Sequence, residues 1–140
     1  MQHDKRLDAA WWALKIGLGV GAFAAGADKF FNLLADWEKY LSPVARRNLP
    51  VTPRTFMRVV GLIEMGAGAV VLSPGTRIGG YTVSAWLLAI TANLFSSGKY
   101  YDVAVRDAEM AIAAFSLAKL SEVRESVRQA KTPIEIARAA

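Results

Sequence analysis

The chain has 140 residues, a formal net charge of +5 and 54% hydrophobic residues, and its mean hydropathy of +0.26 exceeds what an ordinary soluble domain needs. Its length suits one domain. The sequence has no cysteine and a single histidine, His3. Disulfides, thiolate chemistry, a histidine-ligated haem inside a helix bundle and the usual His/Cys zinc site are therefore excluded.

Charge is distributed in blocks along the chain. Charged residues gather at 1–8, 36–58, 99–109 and 119–138, and long apolar stretches separate these blocks. A soluble four-helix protein would place polar residues at every turn of each helix, and these stretches do not. No basic and aromatic surface pattern accompanies the positive charge. We therefore expect the lipid bilayer and its headgroups as partners, and no nucleic acid.

Four apolar runs predict an all-α fold, an integral membrane four-helix bundle that forms the single domain 1–140. Each run holds 19 to 24 residues, near the ~20 needed to cross a hydrocarbon core. The fourth run is the least apolar, because Arg106, Asp107 and Glu109 lie in its first half. The predicted spans are about 11–34, 55–73, 77–97 and 101–120.

The first span begins at Trp11 and Trp12, which suit the aromatic belt of a membrane interface. This segment is not a signal peptide, because its apolar run is too long and contains Lys15. A polar connector, 36–54, follows the span. Its three prolines argue against a long regular helix there.

The rest of the sequence predicts a helix cap, the structure of the C-terminal tail and the orientation of the protein in the membrane. Thr52 or Thr55 is expected to cap the second span. The charged C-terminal tail, 121–140, predicts a surface helix as far as Pro133 and a loose end after it. Four spans place both termini on one side, called side A, and the connector on the opposite side, called side B. More basic residues outside the spans lie on side A, so we expect both termini in the cytoplasm.

Polar residues inside the predicted spans fall on stripes of small side chains. Glu64 shares a helical face with Gly61, Ala67, Gly68 and Val71. Small residues let helices approach closely in lipid, so Glu64 is expected to face another helix rather than acyl chains. Stripes of the same kind are predicted beneath Asp28, Lys29 and Asp107, and Asn93 shares a helical face with Thr82, Trp86, Ala89 and Ser96.

These polar residues also lie at similar depths. At ~1.5 Å of rise per residue, most lie roughly 5–10 Å inside side B, and Glu64 lies about 13 Å inside. Antiparallel helices bring them to nearly one level, which predicts a polar cluster that opens toward side B with Glu64 as its floor. No catalytic residue and no metal ligand is assigned. The predicted cluster, or ligand-binding site, comprises Asp28, Lys29, Glu64, Trp86, Asn93, Arg106 and Asp107.

Two interpretations of this cluster are open. In the first, Lys29 and Arg106 neutralise the carboxylates, and the ion pairs hold the helices together. In the second, the cluster is a binding pocket or a proton-coupled site, because ionisable groups at membrane depth are costly and often functional. Carboxylates outnumber cations, so one is expected to be protonated, and desolvation favours this for Glu64, the deepest. Trp86 either stacks on a flat ligand such as a quinone or fills a packing gap.

Three segments carry a recognisable pattern of glycines, aromatic residues and charges. They are GLGVGAFAAGADKFF in span 1, GLIEMGAGAVVL in span 2 and RDAEMAIAAFSLA in span 4. Together they resemble the DoxX family of small four-helix membrane proteins, over about residues 12–120. The resemblance aligns Lys29, Glu64 and Asp107 with the polar residues of the family. The connector with its three prolines and the basic tail depart from the family pattern.

Some DoxX-like proteins are subunits of thiosulfate:quinone oxidoreductase, and others accompany redox enzymes. The resemblance implies a multi-pass protein of the bacterial inner (plasma) membrane, acting as a non-catalytic subunit or anchor of a membrane redox complex. Its partners would be other subunits or further copies of the chain. The alternative is a membrane protein that binds a quinone or another small molecule at the polar cluster.

Two further functions have less support from the sequence. A transporter or channel is the weakest hypothesis, because four short spans show no internal repeat. Catalysis by the chain alone is not expected, because no Ser/His or Cys/His set and no phosphate-binding loop is evident. No covalently bound cofactor is expected, and quinone is the cofactor class that the resemblance implies.

Overall fold

The structure, a computed structural model, describes the backbone of residues 2–139 and the side chains of residues 5–130. All regular secondary structure in this part of the chain is helical, which confirms the all-α prediction. A short 3-10 helix, Trp37–Tyr40, lies between the first two α-helices. The α-helices are α1 (Gln2–Asp28), α2 (Pro43–Asn48), α3 (Pro53–Leu72), α4 (Thr76–Ser96) and α5 (Tyr101–Ala139).

Three helices are long and apolar enough to cross a membrane. They comprise Lys5–Asp28 of α1, Pro53–Leu72 of α3 and Thr76–Ser96 of α4. The chain is thus a multi-pass membrane protein in contact with a lipid bilayer. The fourth predicted span, 101–120, lies within α5 and is not among these three.

Helix α1 ends at Asp28, several residues before the predicted end of the first span at residue 34. The Asp28 carboxylate accepts hydrogen bonds from the backbone N–H groups of Leu33 at 2.8 Å and Leu34 at 3.0 Å. It also accepts one from the Trp37 indole N–H at 2.8 Å. These bonds stabilise a turn in place of further helix, and Asn32 within it has a positive φ of 53°. A short polar side chain that captures nearby amides competes with the helix in this way.

The connector contains only short helices, as its prolines predict. Ser42 caps α2 by accepting a hydrogen bond from the backbone N–H of Ala45 at 3.1 Å. Of the two threonines considered for the next cap, Thr52 caps α3 by accepting from the backbone N–H of Thr55 at 3.2 Å. Proline at the start of both helices suits this position, because its missing N–H would have no partner there.

Helix α5 is longer than the sequence predicts. It continues to Ala139, whereas the expected surface helix ends at Pro133 and leaves a loose end. A proline removes one backbone hydrogen bond, but its fixed φ is compatible with a helix. The surrounding Ala, Arg, Glu and Lys residues favour helix and carry it past this point. The prediction of a loose end was therefore wrong.

Helices α1 and α3 approach each other at two antiparallel pairs of glycines. A Cβ atom added at Gly26 would lie 2.5 Å from the Gly61 carbonyl oxygen, and one added at Gly61 would lie 2.5 Å from the Gly26 oxygen. Two turns away along both helices, a Cβ at Gly68 would lie 2.7 Å from the Gly19 oxygen. Backbones can come this close only where both helices lack side chains, as is common between membrane helices.

Helix α4 packs along α5 on a face of alanines. A Cβ at Gly80 would lie 3.0 Å from the Ala114 carbonyl oxygen, and the Ser84 hydroxyl donates a hydrogen bond to the Ala111 oxygen at 2.9 Å. The predicted stripe beneath Asp107 is confirmed as the buried face of α5. Its alanines are at most 1% exposed, and they are Ala104, Ala111, Ala114 and Ala118. Helix α3 also packs on α4, and α1 on α5.

The glycine contact predicts a difference between two matched variants of α3. Gly61→Ala introduces a methyl group that meets backbone atoms, which cannot rotate away, and should lower the free energy of unfolding by about 1–3 kcal/mol. Gly66→Ala meets nothing within 4 Å and should be neutral or slightly stabilising. Thermal unfolding in a mild detergent compares the two. Equal stability of both variants would contradict the close approach of α1 and α3.

Candidate ligand-binding cavity

A cavity of about 520 Å³ lies toward side B, where α1 and α4 end and where α3 and α5 begin. The connector covers part of it through Trp37, Tyr40 and Leu41. Much of its wall is apolar or aromatic, and its polar groups are few. Six of the seven residues predicted as the polar cluster line it, namely Lys29, Glu64, Trp86, Asn93, Arg106 and Asp107.

Lys29 and Glu64 form a buried ion pair at the deep end of this cavity. The Lys29 Nζ lies 2.5 Å from the Glu64 Oε2, and the two side chains are only 4% and 8% exposed. The pair follows from the backbone approach of Gly26 to Gly61, because each charged residue lies three positions beyond one of these glycines. Glu64 therefore faces the end of α1 and not the acyl chains, as the sequence predicts.

Both oxygens of the Glu64 carboxylate accept hydrogen bonds. Oε2 accepts from Lys29, and Oε1 accepts from the Trp86 indole N–H at 3.3 Å. The Lys29 ammonium also lies 3.7 Å from the centre of the Trp37 ring, a cation–π contact. An adjacent ammonium favours the ionised form of a carboxylate. Lys29, Trp86 and Trp37 thus hold this ion pair in place at the wall of the cavity.

Arg106 and Asp107 form a second ion pair on the wall contributed by α5. The Asp107 Oδ1 accepts from the Arg106 Nε at 3.1 Å and from its Nη2 at 3.0 Å. Asp107 is buried, whereas the Arg106 side chain is 61% exposed and marks the rim. Among the described residues, no direct hydrogen bond joins this pair to Lys29 and Glu64. The predicted cluster is thus two ion pairs that face one cavity.

Asn93 ties the connector to α4 above the cavity. Its Nδ2 donates to the Tyr40 carbonyl oxygen at 2.8 Å, and its Oδ1 accepts from the Ser42 backbone N–H at 3.2 Å. The stripe predicted around Asn93 is not the buried face of α4, because Thr82, Ala89 and Ser96 are exposed. Asn93 therefore holds the cover of the cavity and leaves one amide hydrogen for another acceptor.

Asp28 does not line the cavity, although the sequence places it in the cluster. Its carboxylate is turned back toward the loop that follows α1, where it accepts the three hydrogen bonds described above. Two glycines of the stripe predicted beneath it, Gly17 and Gly21, also face away from the other helices, because added Cβ atoms there meet nothing within 4 Å. Asp28 shapes the cavity only indirectly, since it positions Trp37 beside Lys29.

The sequence did not identify the aromatic residues that the connector and the start of α3 contribute to the cavity. Trp37, Tyr40 and Phe56 line it together with Trp86. The sequence signal for these residues is the run DWEKY, because two aromatic residues within a polar loop beside a membrane are expected to pack against another surface of the protein.

The chemistry available at this cavity is charge, hydrogen bonding and stacking. In the part of the chain whose side chains are described, no three His, Cys, Asp or Glu residues come together as metal ligands would. The walls supply indole and phenol rings, and the ion pairs supply donors and acceptors. A small molecule with a flat apolar body and polar edges would match both.

A scan against protein-family models, a search of curated proteins and a search of solved structures each find no match to this chain. The resemblance to the DoxX family therefore depends on the three sequence motifs and stays a prediction.

The ion pair predicts that Glu64→Gln is destabilising. The amide would leave the buried Lys29 ammonium without a counter-charge, and breaking such a pair costs about 3–5 kcal/mol. The double variant Lys29→Met/Glu64→Leu removes both charges and should be more stable than Glu64→Gln alone. Thermal unfolding in detergent measures both.

Glu109→Gln is the control for this experiment, because Glu109 is an exposed carboxylate of α5. It should leave the unfolding temperature unchanged. A Glu64→Gln protein as stable as the Glu109→Gln protein would mean that the contact between Lys29 and Glu64 does not stabilise the fold as an ion pair.

Proposed function

We propose that this chain is a membrane protein that binds a flat, lipid-soluble small molecule of the quinone class in the cavity on side B. The observation that carries the proposal is the composition of that cavity. A volume of about 520 Å³, apolar and aromatic walls and two ion pairs lie at one end of the membrane helices. Small-molecule sites typically have volumes of roughly 300–1,000 Å³ and combine apolar walls with a few placed polar groups.

The hydrogen-bond donors around the cavity suit the carbonyl oxygens of a quinone. Arg106 uses Nε and Nη2 for Asp107, which leaves its Nη1 to donate toward the rim. Asn93 retains one N–H, as described above. Lys29 lies deeper in the cavity, and its ammonium group already donates a hydrogen bond to Glu64. A ring with carbonyl groups on opposite edges would thus meet a donor near the rim and a charged pair at depth.

The aromatic walls favour a flat ligand. Trp86 is half-buried on α4, and its indole N–H is held by Glu64, which fixes the ring plane. Trp37 is fixed in the same way by Asp28. Two immobilised indoles lose little conformational freedom on binding, and rings of this kind stack on flat π systems.

We also propose that 101–120 of α5 is a fourth span, so that α1, α3, α4 and α5 form a four-helix bundle with both termini in the cytoplasm. The packing of α5 on α4 and α1 supports this arrangement. The charges that lower the hydropathy of this segment lie near side B, and Asp107 is neutralised by Arg106. Basic residues near side A favour the cytoplasmic orientation.

A second candidate function is that of a non-catalytic subunit or anchor in a redox complex of the bacterial inner membrane, with partner subunits or further copies of the chain. The full burial of the Lys29–Glu64 pair favours this candidate, because a pair that satisfies itself can hold two helices without a ligand. The two functions are compatible, since a subunit of such a complex can also hold a quinone.

Quinone binding is testable with the tryptophans of the cavity as reporters. A soluble short-chain quinone analogue should quench the fluorescence of the purified protein in detergent, because Trp37 and Trp86 both line the site. Ala89→Phe places a ring in the cavity and should abolish the saturable part of the quenching. Ala85→Phe is the matched control, because Ala85 is exposed on the same helix and does not line the cavity.

Quenching that stays linear with quinone concentration, or that is unaffected by Ala89→Phe, would refute a quinone site. The chain would then be better described by the second candidate, in which the ion pairs only hold the helices together.

The proposed fourth span predicts from which side of the membrane tags at the two termini can be labelled. Tags placed before residue 1 and after residue 140 should both be labelled from the cytoplasmic side of sealed vesicles. Labelling from opposite sides would mean an odd number of spans, with α5 lying outside the hydrocarbon core.

A further inference from the structure

A second cavity, of about 370 Å³, lies at the opposite end of the helices, toward side A. It opens between the N-terminal half of α1, the turn that joins α3 to α4, and the middle of α5. Trp12, which is 50% exposed, and Leu72, which is 40% exposed, border it. This cavity shares no residue with the cavity on side B, so an inference from it does not depend on the proposed quinone site.

Lys15 is the most buried charge at this cavity, with only 7% of its surface exposed. Its ammonium donates to the Ser73 carbonyl oxygen at 2.9 Å and lies 4.8 Å from the centre of the Trp11 ring. No carboxylate of the described residues forms an ion pair with it. The end of α3 offers only the partial negative charge of a helix dipole. An ammonium has three donors, so Lys15 retains capacity for an anionic acceptor.

The carboxylates near this cavity are already matched to other cations. Asp8 pairs with Arg124, and Glu125 pairs with Arg77 at 3.0 Å. Arg124 also lies 4.3 Å from the centre of the Trp11 ring, on which it stacks. Burial and the nearby positive charge of Arg128 lower the pKa of Arg124. The positive charges here repel one another, and a bound anion would reduce this repulsion.

We propose that this cavity binds the phosphate group of an anionic phospholipid, with Lys15 as its principal ligand. A buried charge without a counter-charge is costly, and an anion supplied by the membrane offsets that cost. Basic pockets between membrane helices on the cytoplasmic side are suited to lipid headgroups.

The position of the cavity selects a lipid as the source of this phosphate. The paired tryptophans of α1 and the tight turn after α3 mark the level of the bilayer interface. The exposed apolar surfaces of Trp12 and Leu72 border the opening, so a molecule with acyl chains would extend from the headgroup along them. A free phosphate ion would leave those surfaces uncovered.

Native mass spectrometry and thermal unfolding of the full chain in a neutral detergent test this site. Phosphatidylglycerol has a net negative charge and should remain bound and raise the unfolding temperature. Phosphatidylcholine at the same concentration should do neither, because its own ammonium group neutralises its phosphate. Lys15→Met should weaken phosphatidylglycerol binding about tenfold, the size expected when one charge-assisted hydrogen bond is lost. Lys15→Arg keeps the charge and should retain binding.

Lys99→Met is the matched control, because Lys99 is an exposed lysine at the opposite end of the helices. It should leave binding unchanged. If Lys15→Met does not yield folded protein, the preference of the unaltered chain for phosphatidylglycerol over phosphatidylcholine still decides the proposal. Equal binding of both lipids would overturn it. An equal rise in unfolding temperature with inorganic phosphate alone would overturn the lipid as the source of the phosphate.

Discussion

The close approach of α1 to α3 is the constraint on which the rest of the structure depends. Gly26 and Gly61 bring two backbones together without side chains between them. That contact brings Lys29, just beyond the end of α1, against Glu64 on α3. Dispersion contacts of this kind dominate helix association where no water is present to drive apolar burial. The buried charges are thus a consequence of the glycines, since wider spacing would leave both ions in lipid without a partner.

The buried charges at the two ends of the protein have different kinds of partner. On side B the charges are matched within the chain, because Lys29 faces Glu64 and Arg106 faces Asp107. The remaining space between them is lined by aromatic and apolar residues. On side A the ammonium of Lys15 has a carbonyl oxygen as its acceptor. A self-matched cavity suits a neutral ligand with polar edges, and an unmatched cation suits an anion, so the two cavities favour different ligand chemistry.

The interaction at Asp28 illustrates how local hydrogen bonding redirects a residue that periodicity assigns to a site. Helical spacing places Asp28 in the cluster, but its carboxylate captures two backbone amides and the Trp37 indole, and α1 ends there. Side chains on a helix usually interact with partners three or four positions away. Arg106 instead binds its immediate neighbour, Asp107, through its Nε and Nη2 atoms. In both cases the partner of the side chain differs from the one that helical spacing indicates, because spacing does not show how far or in which direction a side chain extends.

The sequence by itself determined the helical class, the apolar segments and the inward-facing residues of α3 and α5, because those depend on hydropathy and on a fixed helical period. Six of the seven residues that it predicted as the polar cluster line the cavity on side B, since polar groups in apolar helices are costly to expose to lipid. The tertiary structure alone decided which charges pair, that the connector covers the cavity with Trp37 and Tyr40, and that Lys15 has no carboxylate partner among the described residues. Those features depend on distances between segments far apart in the chain, and such distances are set by helix packing and not by local residue order.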